Sequence, residues 1–287
     1  MKVLFINIGM HHKNLNALVK YNIEITHIYN NNLEGIDLSK YDVVYSPSQP
    51  INVRNYSNTK FIFGPHFSVF PNEYQMQIIE GNNSVYIQPS EWALNAWKFF
   101  PCCSKNRVEI LPFGVDTVSF NEIKPITERS QVFIYFKRRL QIELDVIYRF
   151  LCNNGYQPVI FDYVKRYNET DYINCLHNAK FGVWLDAHES QGFALQEALA
   201  CNVPLLVWSV TSMTQEAGSN YPEIPAKTNP YWDSSCGESF KNIKEISENF
   251  NTFIQNINTY KPRDFILENL SIEKCSEKFI NLVNNSF

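Results

Sequence analysis

The chain has 287 residues, 45% of them hydrophobic and 19% charged, with a net charge of −4 at pH 7. That length can bury two cores, and the slightly acidic balance excludes a general electrostatic affinity for nucleic acid. Seven cysteines, scattered and without a C-x-x-C pair, exclude a disulfide framework or a cysteine zinc site and point to reduced thiols in the cytoplasm. The opening run M-K-V-L-F-I-N-I-G is too short and too mixed for a signal peptide, and no apolar run approaches the roughly 18 residues a membrane span needs. Peripheral contact with a membrane stays open. No D-x-D tripeptide is present to hold a divalent ion, so no metal is expected.

In chain order, residues 2–8 form a first strand, and Gly9 opens a turn holding His11 and His12 into a helix over 14–20. There is no G-x-G-x-x-G here, which argues against a dinucleotide-dependent dehydrogenase. Short strands follow at 23–28, 43–45 and 60–63. The last ends in G-P-H-F and presents His66 at its carboxyl end, either as a ligand contact or as a half-buried histidine bonded to backbone. A strand at 84–88 leads through P-S-E-W to a helix with Ser90 as its N-cap. A strand at 108–111 then runs into L-P-F-G-V-D-T-V-S-F, where Pro112 and Gly114 break the strand and redirect the chain.

A second series begins with a strand at 131–136, followed by Lys137, Arg138 and Arg139. A helix over 142–153, a strand at 158–162 and a helix over 169–178 lead to the stretch F-G-V-W-L-D-A-H-E-S-Q-G-F-A-L-Q-E-A-L-A-C-N-V-P-L-L-V-W, residues 181–208. It reads as strand, polar turn, helix and strand. A parallel β-α-β unit of this kind puts its turn at the carboxyl end of the first strand, where open α/β sheets bind ligands. A helix starting near Phe193 turns its positive end toward that turn and suits a phosphate. Glu189 and Glu197 bracket the site with seven residues between them. Spacing alone leaves open whether they are ligand contacts or solvated glutamates. Apolar residues at intervals of three and four from Ile243 to Ile257 and from Ile272 to Val283 mark two amphipathic helices.

The E-x7-E pair, the P-S-x-W step and the L-P-F-G-V-D segment together resemble the retaining glycosyltransferases of family four. The resemblance implies an α/β chain of the GT-B fold, two Rossmann-like domains whose parallel sheets face across a cleft. It places an acceptor-side domain at 1–115, short for the family, a nucleotide-sugar domain at 116–265, and a helix in 266–287 that packs back on the first domain. It implies donor binding by Lys137, Arg138, Gly192, Phe193, Glu197 and Gly9, with Glu189, Arg138 and His66 in the catalytic set. In the family the first glutamate lies by the donor sugar and the second holds the ribose. Arg138 matches the family's arginine, and Lys137 or Arg139 stands in for a missing lysine. Asn202 replaces the usual glycine after the helix, a mild change because asparagine tolerates a left-handed cap.

The expected activity is transfer of a sugar from a nucleotide-diphosphate donor to a carbohydrate or glycoconjugate hydroxyl, with retention, without metal and with no cofactor beyond the donor itself. The rival readings are a catalytically silent nucleotide-sugar-binding or scaffolding protein, a GT-B nucleotide-sugar epimerase, and an unrelated Rossmann-like domain.

Overall fold

The computed structural model describes residues 1–287. The chain forms two compact units, one of Met1–Gly114 with Ile272–Phe287 and one of Val115–Ser271. No helix is long and apolar enough to cross a membrane.

The first unit runs β1 (Lys2–Ile6), α1 (His12–Leu18), β2 (Glu24–Ile28), β3 (Val43–Ser46), β4 (Phe61–Phe63), α2 (Glu73–Ile78), β5 (Ser84–Gln88), α3 (Glu91–Lys98) and β6 (Val108–Ile110). Its strands lie in the order β2-β1-β3-β4-β5-β6, all parallel. Strands β3, β4 and β5 are buried at every position. That is why V-V-Y-S and F-I-F read as continuous rather than alternating apolar runs, as covered parallel strands do. Tyr86 stacks on Trp97 of α3 with ring centroids 4.2 Å apart, tying the sheet to that helix.

The second unit runs β7 (Gln131–Lys137), α4 (Gln141–Asn153), β8 (Val159–Asp162), α5 (Glu169–Asn178), β9 (Ala179–Asp186), α6 (Phe193–Ala200), β10 (Leu205–Trp208), β11 (Gly237–Phe240), α7 (Ile246–Gln255) and α8 (Pro262–Asn269). Its sheet order is β11-β10-β9-β7-β8, again all parallel. The two faces divide by residue parity. Val132, Ile134 and Phe136 of β7, with Phe181, Val183 and Leu185 of β9, pack with residues of α4 and α7. Phe133 and Tyr135 of β7 point the other way, toward Trp184 and Tyr172 of α5. Gly182 pairs in register with Phe133, and a methyl at Gly182 would run into the Phe133 ring. The bulky aromatic on β7 therefore fits only because its neighbour on β9 has no side chain.

The last helix, α9 (Ile272–Asn285), belongs to the first unit. Its Cys275, Phe279, Leu282 and Val283 are buried, and Phe279 meets the rings of Tyr21 and Tyr45. Three hydrogen bonds fix it: Asn22 N–H to Ser276 Oγ at 3.0 Å, Lys60 Nζ to the Val283 carbonyl at 3.0 Å and Arg107 Nη1 to the Ser286 carbonyl at 2.7 Å.

Some local expectations are corrected. The strand expected over 2–8 ends at Ile6. Ser90 occupies the N-cap position of α3, but its buried side chain makes no capping bond. Three elements carry too little signal in the sequence: α2 has six residues, β11 is G-E-S-F, and α8 starts on Pro262 at its first turn. Asn202 does take a left-handed conformation, with φ of 57°, just past α6.

Candidate functional site

In the second sheet the chain passes from β7 outward to β8 and then back across to β9. The strand order therefore reverses between β7 and β9, and open parallel sheets bind ligands at the carboxyl ends flanking such a reversal. The two strands deliver chemistry there. Strand β7 ends at Lys137, with Arg138 and Arg139 next, and β9 ends at Asp186, with Ala187, His188 and Glu189 next. Lys137 Nζ bonds Glu189 Oε1 and lies 3.9 Å from Asp186 Oδ2. The ammonium also sits 4.6 Å from the centre of the Tyr163 ring.

Arg138 is strained and held. Its φ is 50°, a left-handed conformation that costs a non-glycine residue roughly 1–2 kcal/mol. The Ala217 N–H donates to the Arg138 carbonyl at 2.9 Å, and Arg138 Nη1 donates to Glu216 Oε1 at 2.8 Å. The Arg138 side chain is nevertheless 49% exposed, against 16% for Lys137. Arg138 is the cation with surface to offer a ligand. Arg139, by contrast, is buried: it pairs with Glu143 and donates Nη1 to the carbonyls of Asp186 and Trp208. Its charge holds strand ends together.

Gly192 is the N-cap of α6, with φ of 77°. A methyl there would lie 3.5 Å from Glu189 Cβ, so Glu189 sits directly beside the start of the helix. Phe193 is the first helical residue, and the positive end of the helix dipole faces this turn. At the other end, Arg129 and Arg263 donate to the carbonyls of Cys201 and Ala200 at 2.9 and 2.6 Å. Two cations thus sit at the negative end, where they stabilise the helix.

Burial pushes the Asp186 carboxyl up to about 6, against the opposing pull of Lys137. His188, 3.2 Å from Glu216 Oε2, is lowered, first by burial. Glu197 lies one turn inside α6 and is 4% exposed. It sits beside Tyr167 and Tyr172, whose phenols are raised by burial first and also by its charge. Glu189 is paired with Lys137 and Arg138 with Glu216, two ion pairs at the ends of neighbouring strands, while Glu197 occupies the tyrosine-lined side of the helix.

Gly9 and His66 belong to the first unit. Gly9 has φ of 65°, and a methyl on it would lie 2.6 Å from Ser48 Oγ, which itself donates to the Ile8 carbonyl at 2.6 Å. The loops after β1 and β3 thus close on each other at this sheet's own reversal. His66 N–H donates to the Pro47 carbonyl at 2.9 Å. Burial lowers its imidazole to about 4, with His11 contributing. His11 caps α1 through Nδ1, 3.3 Å from Lys13 N, and its ring lies 4.4 Å from that of His12.

No protein-family model matches the sequence, and no curated protein matches it. Solved structures do. The apo form of the lipopolysaccharide outer core galactosyltransferase WaaB aligns over 100% of both chains at 12% identity with a TM-score of 0.52. The fold is GT-B. The N-terminal domain of Candida albicans trehalose-6-phosphate phosphatase aligns over 99% of this chain and 96% of its own at 10% identity, with a TM-score of 0.57. TarM aligns at 17% identity and a TM-score of 0.49 over 80% of this chain; the chain spans 51% of TarM's length. Identities this low establish a glycosyltransferase-like fold and leave activity to the side chains.

Sequence reasoning missed Asp186, His188, Tyr163 and Glu216. The first two were legible as the D-A-H-E run after β9. Glu216 carried no local signal, since it stands 78 positions from Arg138 and meets it only through the fold.

Proposed function

We propose that the chain is a retaining glycosyltransferase that binds a nucleotide-diphosphate sugar at the β7–β9 reversal of its second unit and transfers the sugar to a hydroxyl acceptor. The observation that carries this reading is a half-exposed, backbone-strained Arg138 at the end of β7, next in sequence to Lys137, whose partner Glu189 lies beside the Gly192 start of α6. The glycosyltransferase-like fold, shared over its whole length with WaaB, supports it.

The chemical difficulty in such a reaction is the charge on the departing nucleoside diphosphate. Arg138 and the amino end of α6 oppose that charge from fixed positions, and the interaction strengthens as the bond breaks. Lys137 is already engaged by Glu189 and Asp186. Its part is to orient Glu189, the group assigned to the sugar hydroxyls. Glu197 is assigned to the ribose, Gly192 and Phe193 to the phosphates through their backbone, and, from the first unit, His66 to the catalytic set and Gly9 to donor binding. We assign retention, independence from metal and action on a carbohydrate or glycoconjugate acceptor on the strength of the sequence motif and the missing D-x-D tripeptide. Seven free cysteines agree with a cytoplasmic site of action.

The test is a thermal-shift screen of UDP-, GDP-, dTDP- and ADP-sugars. A ligand at a hundred times its Kd stabilises the folded state by about 2.7 kcal/mol. The anomeric configuration of the product should then match that of the donor in NMR spectra. No stabilisation by any donor, or an inverted product, contradicts the reading. A second reading, donor binding without transfer, is favoured by the likeness to a domain of a protein named as a phosphatase. Slow hydrolysis of a bound donor excludes it, and binding without hydrolysis or transfer supports it.

A further inference from the structure

We propose that Glu216 is the positioning residue for Arg138, a buried carboxylate that fixes the guanidinium and joins the loops following β7, β9 and β10. This rests on the reading that Arg138 meets the diphosphate. Glu216 is 4% exposed. Oε1 accepts from Arg138 Nη1 and from Ser219 Oγ, both at 2.8 Å, and Oε2 lies 3.2 Å from His188 Nε2. Arg138 arrives from the end of β7, His188 from the end of β9, and Glu216 itself from the segment after β10.

The backbone that carries Glu216 is itself fixed. It follows a single 3₁₀ turn, Met213–Gln215, closed by a capping box in which Ser212 and Gln215 each bond the other's backbone. Met213 N–H donates to the Ile224 carbonyl at 2.9 Å, and the Ala217 N–H next to Glu216 donates to the Arg138 carbonyl. Arg138 is thus gripped at both ends, its strained backbone by Ala217 and its guanidinium by Glu216. A carboxylate buried this deeply cannot release its partner cheaply, because the unpaired charge would be left out of water. A half-exposed arginine held in one rotamer loses little side-chain freedom when an anion arrives, and its flat fork can still meet a phosphate along another edge. Glu216 acts through Arg138 and touches no substrate in this assignment.

The probe is inorganic pyrophosphate, titrated calorimetrically into the full chain and into Arg138→Ala, Glu216→Gln and the double variant, each first checked for a cooperative thermal melt. Glu216→Gln keeps the shape and removes the charge. Each single variant is expected to weaken binding about tenfold, and the double variant to bind no more weakly than Arg138→Ala alone, because Glu216 works only through that side chain. Losses that multiply in the double variant, as a purely structural role predicts, overturn the assignment. So does wild-type affinity in Glu216→Gln. Equal binding by the wild type and Arg138→Ala overturns the anion site itself, and the assignment with it. Should Glu216→Gln fail to fold, Glu216→Asp retains the charge but draws it back by one methylene, and the same non-multiplying loss is expected of it.

Discussion

The two sheets share one strand order and differ at their carboxyl ends. Counted within each unit, both read 2-1-3-4-5, and the first sheet adds a sixth strand. At the reversal in the first unit, Gly9 lies so close to Ser48 that no side chain fits between the loops. At the reversal in the second unit the strand ends carry ion pairs, Lys137 with Asp186 and Glu189, and Arg138 with Glu216. A doubly wound topology supplies the position of a site. The side chains at the reversal decide whether a ligand can use it.

The sharpest way to break this contrast is Arg138→Ala. If the guanidinium opposes the charge of the leaving group, kcat/KM should fall by roughly 10²-fold. An unchanged rate in steady-state assays moves the diphosphate elsewhere. Next comes Glu197→Ala, where loss of a charge-assisted hydrogen bond to the ribose should cost about 1.5–3 kcal/mol, appearing mainly as weaker donor binding. Normal donor affinity rejects that assignment.

The two glycines sharpen the comparison directly. Gly192→Ala should lose roughly 1–2 kcal/mol in urea unfolding from its positive φ alone, because the added methyl meets nothing nearer than 3.5 Å. Gly9→Ala has the same backbone cost and must also displace Ser48, so it should lose more. An equal loss at the two positions means the first reversal is not packed shut.

Two further effects are in pH dependence, and they run in opposite directions. Asp186 titrates near 6 when folded and near 3.8 when unfolded, so its contribution to stability falls as pH rises across that window. His66 titrates near 4 when folded and near 6.5 when unfolded. Its contribution is complete above 6.5 and is lost as pH falls toward 4. Asp186→Asn should therefore flatten the loss on the rising side, and His66→Gln the loss on the falling side. Reversed slopes in chemical-denaturation curves from pH 4 to 7 contradict the burial argument.

Much of the fold was legible because covered parallel strands leave continuous apolar runs. Residues 84–88, 169–178 and 205–208 could be bounded from sequence to the residue. Where polarity or length failed, as in G-E-S-F of β11 and the six residues of α2, the stabilising contacts come from neighbours distant in sequence. At the site, the turn around Gly192 and the cations after β7 carried local signals. Which cation is exposed did not: three consecutive basic residues look alike in sequence, yet Lys137 is paired, Arg138 half-exposed and Arg139 buried. Glu216 settles part of that division, and nothing near it in sequence announces the pairing.

A nucleoside diphosphate is proposed to bind at the β7–β9 reversal. Amide hydrogen exchange with and without saturating UDP, GDP, dTDP or ADP tests it most directly. Slowed exchange is expected, with at least one of the four, at residues 137–139 and 189–194. Protection confined to other segments, or none with any of the four, contradicts it.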